Sequence, residues 1–202
     1  LQYYNRAVMD GSWAESNSFC LLGYPVRELA GKTLGIVGAG DLGRGVAKIA
    51  QAFGMQVLFA ALPGRHYSDD LPRVELHRLL PMIDILTLHC PFTPQTQNLI
   101  STDELALMKD SAILINTARG PLIDEPALKQ ALVSGGIAGA GLDVLSAEPP
   151  VDGNVLLDEP IPNLIVTPHS AWAAVEARQR LMGQMVENIN AFLDGKALRQ
   201  VN

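Results

Sequence analysis

Cysteine, aromatic residues and basic charge are all scarce in this chain of 202 residues. The two cysteines, Cys20 and Cys90, have no Cys-x-x-Cys partner and no histidine at zinc-ligand spacing, so we expect neither a disulfide framework nor a metal site. Both are interpreted as reduced, half-buried thiols, which fits a cytoplasmic protein.

Charge and hydropathy exclude further classes of partner. The 15 lysines and arginines are outnumbered by 21 aspartates and glutamates, and the net charge of −6 at pH 7 favours neither nucleic acid nor an anionic membrane as a partner. No apolar run is long enough to cross a membrane, and residues 1–6 lack the basic-then-apolar order of a signal peptide.

What the sequence does have is an alternation of short apolar runs with helical patterns. Strands are predicted at 34–37, 56–61, 84–89, 112–116, 137–144 and 163–167. Helices are predicted at 42–53, 74–80, 101–108, 124–134 and 171–193, with residues 1–13 as the end of a helix that closes at Gly11. Residues 101–104 are predicted to form a capping box, and Asp124 to start the helix at 124–134. Because the strands are almost continuously apolar, we predict an α/β fold, a Rossmann-type doubly wound parallel sheet with helices on both faces. The apolar stripe of the last helix is interpreted as part of the core.

The predicted first strand and first long helix are joined by a glycine turn, which we define as residues 38–43. It reads Gly38-Ala39-Gly40-Asp41-Leu42-Gly43, the Gly-x-Gly-x-x-Gly fingerprint of dinucleotide binding. Gly38 permits the tight turn, Gly40 lets backbone N–H groups approach a pyrophosphate, and Gly43 lets the helix pack close to the strand. A purely steric turn is the alternative, but the strand–turn–helix context favours a nucleotide site.

Five motifs in order resemble the NAD(P)-dependent D-2-hydroxyacid dehydrogenases. They are Val-Gly-Ala-Gly-Asp-Leu-Gly at 37–43, Leu-His-Cys-Pro-Phe-Thr at 88–93, Ile-Asn-Thr-Ala-Arg-Gly at 115–120, Gly-Leu-Asp-Val with Glu-Pro-Pro at 141–150, and Thr-Pro-His-Ser-Ala-Trp at 167–172. The last motif, followed by Glu176-Ala177-Arg178, is most similar to the glycerate dehydrogenase or hydroxypyruvate reductase branch. The resemblance implies hydride transfer between NAD(P)H and a small 2-keto acid, such as hydroxypyruvate or glyoxylate, in a homodimeric enzyme.

The resemblance also gives roles to charged residues that follow predicted strands. Taken alone, Arg119 would be a solvated charge and His169 a structural histidine. In the family's arrangement Arg119 orients the substrate, His169 is the general acid, and Glu148 fixes the His169 tautomer and favours its protonated form. Trp172 either lies near the substrate, across a subunit interface, or packs under the last helix. We interpret the other histidines as structural or peripheral, without a partner of this kind: His66, His77 and His89.

A larger set of cofactor contacts is implied in the same way. Thr117 and Asp143 match family positions around the nicotinamide carboxamide, with a strand-end cap as the alternative for Asp143. The implied cofactor-binding residues are Gly38, Gly40, Asp41, Leu42, Gly43, Arg65, Cys90, Pro91, Thr96, Thr117, Ala118, Asp143 and His169.

Cofactor preference is predicted from a missing carboxylate. An NAD-specific site places Asp or Glu about twenty residues after the first glycine. Here residues 59–62 are Phe-Ala-Ala-Leu, and residues 42–68 contain no acid. We therefore predict that both dinucleotides are used, with NADP(H) favoured over NAD(H), because Arg65 can donate to a 2′-phosphate with help from His66 and Ser68. The alternative is that Arg65 is a solvated loop charge.

Family members are longer than this chain, and the resemblance divides the chain into three parts. Residues 1–30 are expected to be an interdomain helix and connector, residues 31–170 the dinucleotide-binding domain, and residues 171–202 a C-terminal helix and tail that cross toward a substrate domain. We expect that domain to be largely absent here and the chain alone to be inactive. Two alternatives stay open: a nucleotide-sensing protein like the corepressors of this family, and a phosphite or formate dehydrogenase on the same scaffold.

Overall fold

Seven parallel strands form a sheet in the computed structural model, which describes residues 2–62, 64–67, 69 and 71–200. The strands are β1 (Thr33–Val37), β2 (Gln56–Ala61), β3 (Arg73–Glu75), β4 (Ile85–Leu88), β5 (Ile113–Asn116), β6 (Gly139–Leu142) and β7 (Leu164–Val166). Their order is β3-β2-β1-β4-β5-β6-β7, so the direction of winding reverses between β1 and β4. In sheets of this topology, ligands bind outside the carboxyl ends of the strands at that reversal.

In the described part of the chain, six α-helices connect or flank the strands. They are α1 (Gln2–Met9), α2 (Asp41–Ala52), α3 (Leu76–Leu79), α4 (Thr102–Leu107), α5 (Glu125–Ser134) and α6 (Val175–Leu193), with single 3₁₀ turns at Leu80–Met82 and Gly120–Leu122. The predicted caps are present: Ser101 and Glu104 form the capping box of α4, and the Asp124 carboxylate accepts from the Ala127 N–H at the start of α5. Gly135 ends α5 in the left-handed conformation that favours glycine.

Apolar side chains are buried on both faces of the sheet, as the doubly wound prediction requires. The smaller cluster packs α2 against β1 and consists of Leu34, Ile36, Ala47, Ala50 and Met55. The larger cluster fills the rest of the sheet and includes fully buried side chains such as Leu86, Leu114 and Leu128. Strand residues such as Ile36 and Leu88 are completely inaccessible, which explains why the strands read as continuous apolar runs.

The structure differs from the predicted elements in two places: it has one strand that was not predicted, and its last helix starts later than predicted. Residues 73–75 were assigned to a loop and the start of a helix, but they form the edge strand β3, which pairs with the end of β2. A three-residue strand is too short to show a periodic pattern. The last helix begins at Val175 rather than at residue 171, and none of its residues is buried, so its apolar stripe is not part of the core that the structure describes.

Two side-chain interpretations also need correction. Cys90 is buried, with 2% of its surface exposed, rather than half-buried, and burial raises the pKa of its thiol to about 11. His77 does have a carboxylate partner, since its Nε2 lies 2.9 Å from Glu104 Oε1, and the hydrogen bond to Glu104 raises the pKa of His77. The sequence had assigned Glu104 to the capping box alone.

Membrane-spanning helices and metal clusters are both absent from the described residues. No helix there is both long and apolar enough to cross a membrane. No group of three or more His, Cys, Asp or Glu side chains in that part of the chain is arranged to hold a metal ion.

Candidate functional site

The predicted site residues lie at one edge of the sheet, because all seven strands are parallel and their carboxyl ends face the same way. The glycine turn follows β1, and Cys90 and Pro91 follow β4. Arg119 follows β5, and the segments after β6 and β7 carry Glu148 and His169. The site is therefore assembled from loops after neighbouring strands.

The three glycines of the glycine turn meet different surroundings. A Cβ on Gly38, which has a φ of +107°, would lie 2.5 Å from the His89 carbonyl oxygen, and a Cβ on Gly43 would lie 1.9 Å from the Gly38 carbonyl oxygen. Both glycines are required by the packing of the chain itself. A Cβ on Gly40 would meet nothing within 4 Å, so the space beside Gly40 is open for a ligand.

Helix α2 begins at this open space. Gly40 is its N-cap and gives no side-chain cap to the first N–H groups, and Leu42 in the first turn is 74% exposed. Uncapped N–H groups and the helix dipole together make the start of a twelve-residue helix a site for an anion. This arrangement fits the pyrophosphate of a dinucleotide, as the fingerprint predicts.

A cavity of about 320 Å³, which we call the β2 pocket, lies between the glycine turn and the end of β2. Ala60 and Leu62 line it where a carboxylate would stand in an NAD-specific site. Arg65 and His66 also line it, as predicted, whereas Ser68 lies outside the described residues. The sequence interpretation missed the other polar side chains of the lining, Tyr67, Asp69 and Arg73.

The loop after β4 is held by its own side chains. The Thr96 hydroxyl donates to the Pro91 carbonyl over 2.9 Å and accepts from the Thr93 N–H over 2.8 Å, and Thr96 is buried. Thr96 thus shapes the loop that carries Cys90 and Pro91. The pKa of His89, next to Cys90, is lowered because burial disfavours its charged form.

The loop after β5 presents Arg119 to solvent. The buried side chain of Asn116 donates to the Arg119 carbonyl over 2.8 Å and accepts from the Ala118 N–H over 2.9 Å, so it folds the loop. Thr117 and Arg119 are exposed. Among the described residues no carboxylate forms an ion pair with Arg119, and its guanidinium contacts only the neighbouring Ala118 carbonyl. This leaves most of its donors for an anionic ligand.

Glu148 and His169 form the ion pair that the resemblance implies. His169 Nδ1 lies 2.9 Å from Glu148 Oε2, and the side chains are 44% and 33% exposed for His169 and Glu148, respectively. Glu148 Oε1 accepts from the Leu145 N–H over 3.0 Å, which anchors the carboxylate. Because Nδ1 faces Glu148, Nε2 is the ring nitrogen left for a reacting oxygen.

Asp143 acts on the turn that carries His169. Its carboxylate accepts hydrogen bonds from the Thr167 hydroxyl and from the N–H groups of Ser170 and Ala171. Burial, at 4% exposure, raises its pKa, but the hydrogen bonds and the nearby His169 outweigh this and hold the pKa below its usual value. The strand-end cap, one of the two alternatives for this residue, is therefore present.

Beside the ion pair is a cavity of about 610 Å³ whose walls are mostly apolar. It is lined by Leu145, Glu148, Pro149, Pro150, Leu157, Val166, Thr167, Pro168 and His169. Trp172 does not line it and is 56% exposed, so the structure assigns Trp172 neither of its two alternative positions.

Glu125 is a further residue that the sequence interpretation missed. It is a buried carboxylate at the start of α5 that accepts from the Ser146 N–H over 2.7 Å and from the Asn154 amide over 2.9 Å. Glu125 thereby holds the loop between Asp143 and Glu148. Its partners are 21 and 29 residues away in sequence, so no local pattern could have indicated this role.

Comparisons with known proteins agree with this geometry. Residues 1–171 match the family described as "D-isomer specific 2-hydroxyacid dehydrogenase, NAD binding domain". The chain is 53% identical over 194 residues to the glycerate dehydrogenase of Methylorubrum extorquens, covering 96% of this chain and 60% of that protein. It is 43% identical over 202 residues to the hydroxypyruvate reductase of Blautia hydrogenotrophica, covering 99% of this chain and 62% of that protein.

A solved structure extends the similarity to three dimensions. The D-isomer specific 2-hydroxyacid dehydrogenase from Lactobacillus delbrueckii ssp. bulgaricus, in its NAD complexed form, aligns with a TM-score of 0.77 at 31% identity, over 97% of this chain and 64% of that one. The chain thus spans a little under two thirds of the length of each of these proteins.

Proposed function

This chain belongs to the D-isomer specific 2-hydroxyacid dehydrogenase family, as its NAD-binding domain, and from that premise we propose that the protein is an oxidoreductase that reduces a small 2-keto acid to a D-2-hydroxy acid. The observation that carries the proposal is the Glu148–His169 pair, at the same edge of the sheet as Arg119 and the glycine turn. An acid, a cation and a nucleotide site are the three things that hydride reduction of a keto acid needs.

The roles of the residues follow from their contacts. Arg119, with its guanidinium free of carboxylates in the described structure, binds the substrate carboxylate and orients the keto oxygen. His169 donates a proton from Nε2 to that oxygen while Glu148 holds Nδ1. The nicotinamide supplies the hydride, which adds to the keto carbon as the carbonyl π electrons move to the oxygen. Carbon is reduced and NAD(P)H is oxidised to NAD(P)⁺.

We place the dinucleotide along the carboxyl edge. Gly40, Asp41 and Leu42, at the start of α2, would hold its pyrophosphate, and the β2 pocket would hold its adenosine ribose. Thr117 and Ala118, together with the loop of Cys90, Pro91 and Thr96, would hold the nicotinamide. Asp143 acts by holding the turn of His169.

The names of the two relatives suggest the substrate class. One is called a glycerate dehydrogenase and the other a hydroxypyruvate reductase, so we propose hydroxypyruvate and the similar acid glyoxylate as substrates. The test is the loss of absorbance at 340 nm when the intact protein is mixed with NADH or NADPH and hydroxypyruvate, glyoxylate or pyruvate. Turnover is expected. Dinucleotide binding without turnover of any keto acid would support a nucleotide-sensing protein instead. A gain of absorbance at 340 nm when the protein is mixed with NAD⁺ or NADP⁺ and phosphite or formate would support a phosphite or formate dehydrogenase.

For the dinucleotide we propose use of both forms with NADP(H) favoured. Supporting this, Ala60 and Leu62 stand where an NAD-specific carboxylate is usual, and Arg65 lines the β2 pocket. Arg65→Ala is expected to weaken NADPH binding more than NADH binding in a titration of the intact protein. Tighter binding of NADH in wild type, unaltered by the substitution, would contradict the preference.

We also propose a cytoplasmic homodimer. The free thiols of Cys20 and Cys90 fit a reducing compartment. Large apolar side chains that are exposed in this chain, such as Phe19 at 91% and Leu22 at 85%, offer surface for a second copy. Light scattering on the purified protein should give twice the mass of one chain, and a monomer at micromolar concentration would contradict the dimer.

A further inference from the structure

We propose that Asp69 is the residue that sets the selectivity between NADP(H) and NAD(H), by presenting to the adenosine ribose a carboxylate that Arg44 and Arg73 partly neutralise. This rests on the proposed function, because it requires the ribose to lie in the β2 pocket.

Asp69 is held by two arginines from different elements. Arg73 forms a fork on it, with Nη1 at 2.6 Å from Oδ1 and Nη2 at 3.0 Å from Oδ2, and Arg44 Nη2 lies 2.8 Å from Oδ2. The hydrogen bond from Arg73 holds the pKa of Asp69 below its usual value, so the group is a carboxylate at neutral pH. The carboxylate is thus fixed in place rather than free on the loop.

Both arginines are themselves anchored to the walls of the β2 pocket. Arg44 Nε donates to the Ala39 carbonyl of the glycine turn over 2.8 Å. The guanidinium carbon of Arg73 lies 3.8 Å from the centre of the Tyr67 ring, and the Tyr67 hydroxyl accepts from the Leu62 N–H over 2.7 Å. Asp69 therefore keeps a defined position relative to the turn that would bind the pyrophosphate.

In this position, Asp69 gives the β2 pocket the negative charge that the end of β2 lacks. Asp69 lies roughly thirty residues after Gly38 in sequence, too late for the fingerprint, but it lines the same pocket as Ala60 and Leu62. The pocket as folded therefore contains a carboxylate, although the end of β2 has none. The loop after β2 supplies, through Asp69, the carboxylate that β2 itself does not.

The contacts of Asp69 define what it does to each dinucleotide. A carboxylate has about four acceptor positions, and among the described residues the side chains of the two arginines use three, so a ribose 2′-hydroxyl can donate to the remaining one. A 2′-phosphate is repelled by the same charge but attracted by the three arginines around it, Arg44, Arg65 and Arg73. Asp69 thus limits a preference for NADP(H) that the arginines create.

The quantity to measure is the selectivity ratio, the Kd for NADH divided by the Kd for NADPH, by fluorescence titration of the intact protein. Asp69→Asn removes the charge with little change in shape and is expected to raise the ratio by about fivefold or more, through tighter NADPH binding. Arg44→Gln leaves the carboxylate with one counter-ion fewer and is expected to lower the ratio. Asp110→Asn, the same change on an exposed residue before β5 at the opposite edge, is the control and should leave the ratio unchanged.

A ratio for Asp69→Asn that stays within about twofold of wild type, or falls, overturns the proposal. If the substitution made the loop collapse, both dinucleotides would bind more weakly by the same factor. The selectivity ratio would then stay unchanged, which also counts against the proposal. If wild-type protein binds neither NADH nor NADPH, the proposed function itself fails, which is distinct from a bound dinucleotide whose ratio ignores Asp69.

Discussion

At the scale of single residues, His169 is held in a backbone conformation that residues other than glycine rarely adopt. Its φ is +50°. Its N–H donates to the Asp143 carbonyl over 2.8 Å, and its ring is held by Glu148. A strained conformation persists only where the surroundings determine it, and such positions concentrate at functional sites. The contacts of His169 therefore point to a residue placed for chemistry rather than for packing.

Replacing this ring tests its role as the acid. His169→Asn is expected to lower kcat/KM for hydroxypyruvate by at least about 10²-fold in the intact protein, because asparagine cannot give a proton to the keto oxygen. His77→Asn is the matched control, since it removes a second histidine that is also 2.9 Å from a glutamate but lies outside the site. Near wild-type turnover by His169→Asn, measured at 340 nm, would exclude it as the catalytic acid.

Asp143 gives a prediction about pH and stability. The pKa of Asp143 in the folded protein is lower than the usual 3.8. The hydrogen bonds to its carboxylate therefore give their full stabilisation at pH values well above 3.8. This stabilisation is lost as the pH falls through the lower pKa of the folded protein. Wild-type protein should lose more thermal stability than Asp143→Asn between about pH 5 and pH 2.5. Equal losses of Tm in the two proteins would mean that the Asp143 charge does not stabilise the turn.

The residues that could be singled out from the sequence differ in kind from those whose contacts only the structure shows. Arg119, Glu148 and His169 could be singled out as candidates because each follows a strand within a recognisable motif, and the structure places all three at one edge of the sheet. The roles of Asn116 and Asp69 were not, because their importance lies in contacts made after folding. Asn116 hydrogen-bonds a loop carbonyl three residues away, and Asp69 meets Arg44 across 25 residues of chain. Local patterns carry no record of such contacts.

At the scale of elements, the site depends on two loops that touch through their backbones. A Cβ on Gly120 would lie 1.9 Å from the Leu145 carbonyl oxygen and 2.4 Å from the Ser146 nitrogen. Gly120 follows Arg119, and Leu145 precedes Glu148 by three residues and donates to it. The absence of a side chain at Gly120 is what lets the loop that carries Arg119 approach the loop that carries Glu148.

Gly120→Ala is therefore expected to damage both stability and activity. Backbone atoms cannot move aside as a flexible side chain does, so overpacking should cost about 1–3 kcal/mol or more and displace the loop that carries Arg119. Gly141→Ala, within β6, is the control because a Cβ there meets nothing within 4 Å. Thermal unfolding and kcat/KM should fall for Gly120→Ala alone, and equal behaviour of the two variants would show that the loops do not need this contact.

Elements were predictable where burial imposes a pattern on the sequence. The six predicted strands are all present, most of them shorter than predicted, since β1, β4, β5 and β6 each bury apolar side chains, such as Ile36, Leu86, Leu114 and Leu142. Edge strand β3 has three residues and is only partly buried, so it left no pattern. Helix α6 shows the reverse case: its stripe was read from periodicity, but periodicity does not say which surface covers the stripe.

At the scale of the whole molecule, the sheet topology explains why distant motifs meet. The winding reverses between β1 and β4, and the glycine turn and the Cys90 loop leave the sheet on either side of that reversal. The loops after β5, β6 and β7 then extend the same edge in strand order. A dinucleotide laid across the reversal would therefore have its adenosine end at β2 and its reacting end beside the His169 pair.

The binding and turnover expected of the 202-residue chain alone depend on how open the carboxyl edge of the sheet is. The nucleotide-binding parts are complete within it, because the glycine turn, α2 and the β2 pocket are formed by contacts among its own residues. The reacting end is open: His169 and Glu148 are 44% and 33% exposed, and the apolar face of α6 is uncovered. Keto-acid reduction needs a site that excludes water and holds the substrate from a second side.

We therefore expect the isolated chain to bind NADH and NADPH in a fluorescence titration but to turn over no hydroxypyruvate at 340 nm. The control is the intact protein in the same assay, which separates an incomplete site from an inactive preparation. Pre-steady-state mixing should show no single turnover either, because what limits the described site is its open reacting end and not a slow release step. Steady-state reduction by the isolated chain would show that the described residues already form the whole active site, and loss of dinucleotide binding would show that the nucleotide site is incomplete without further chain.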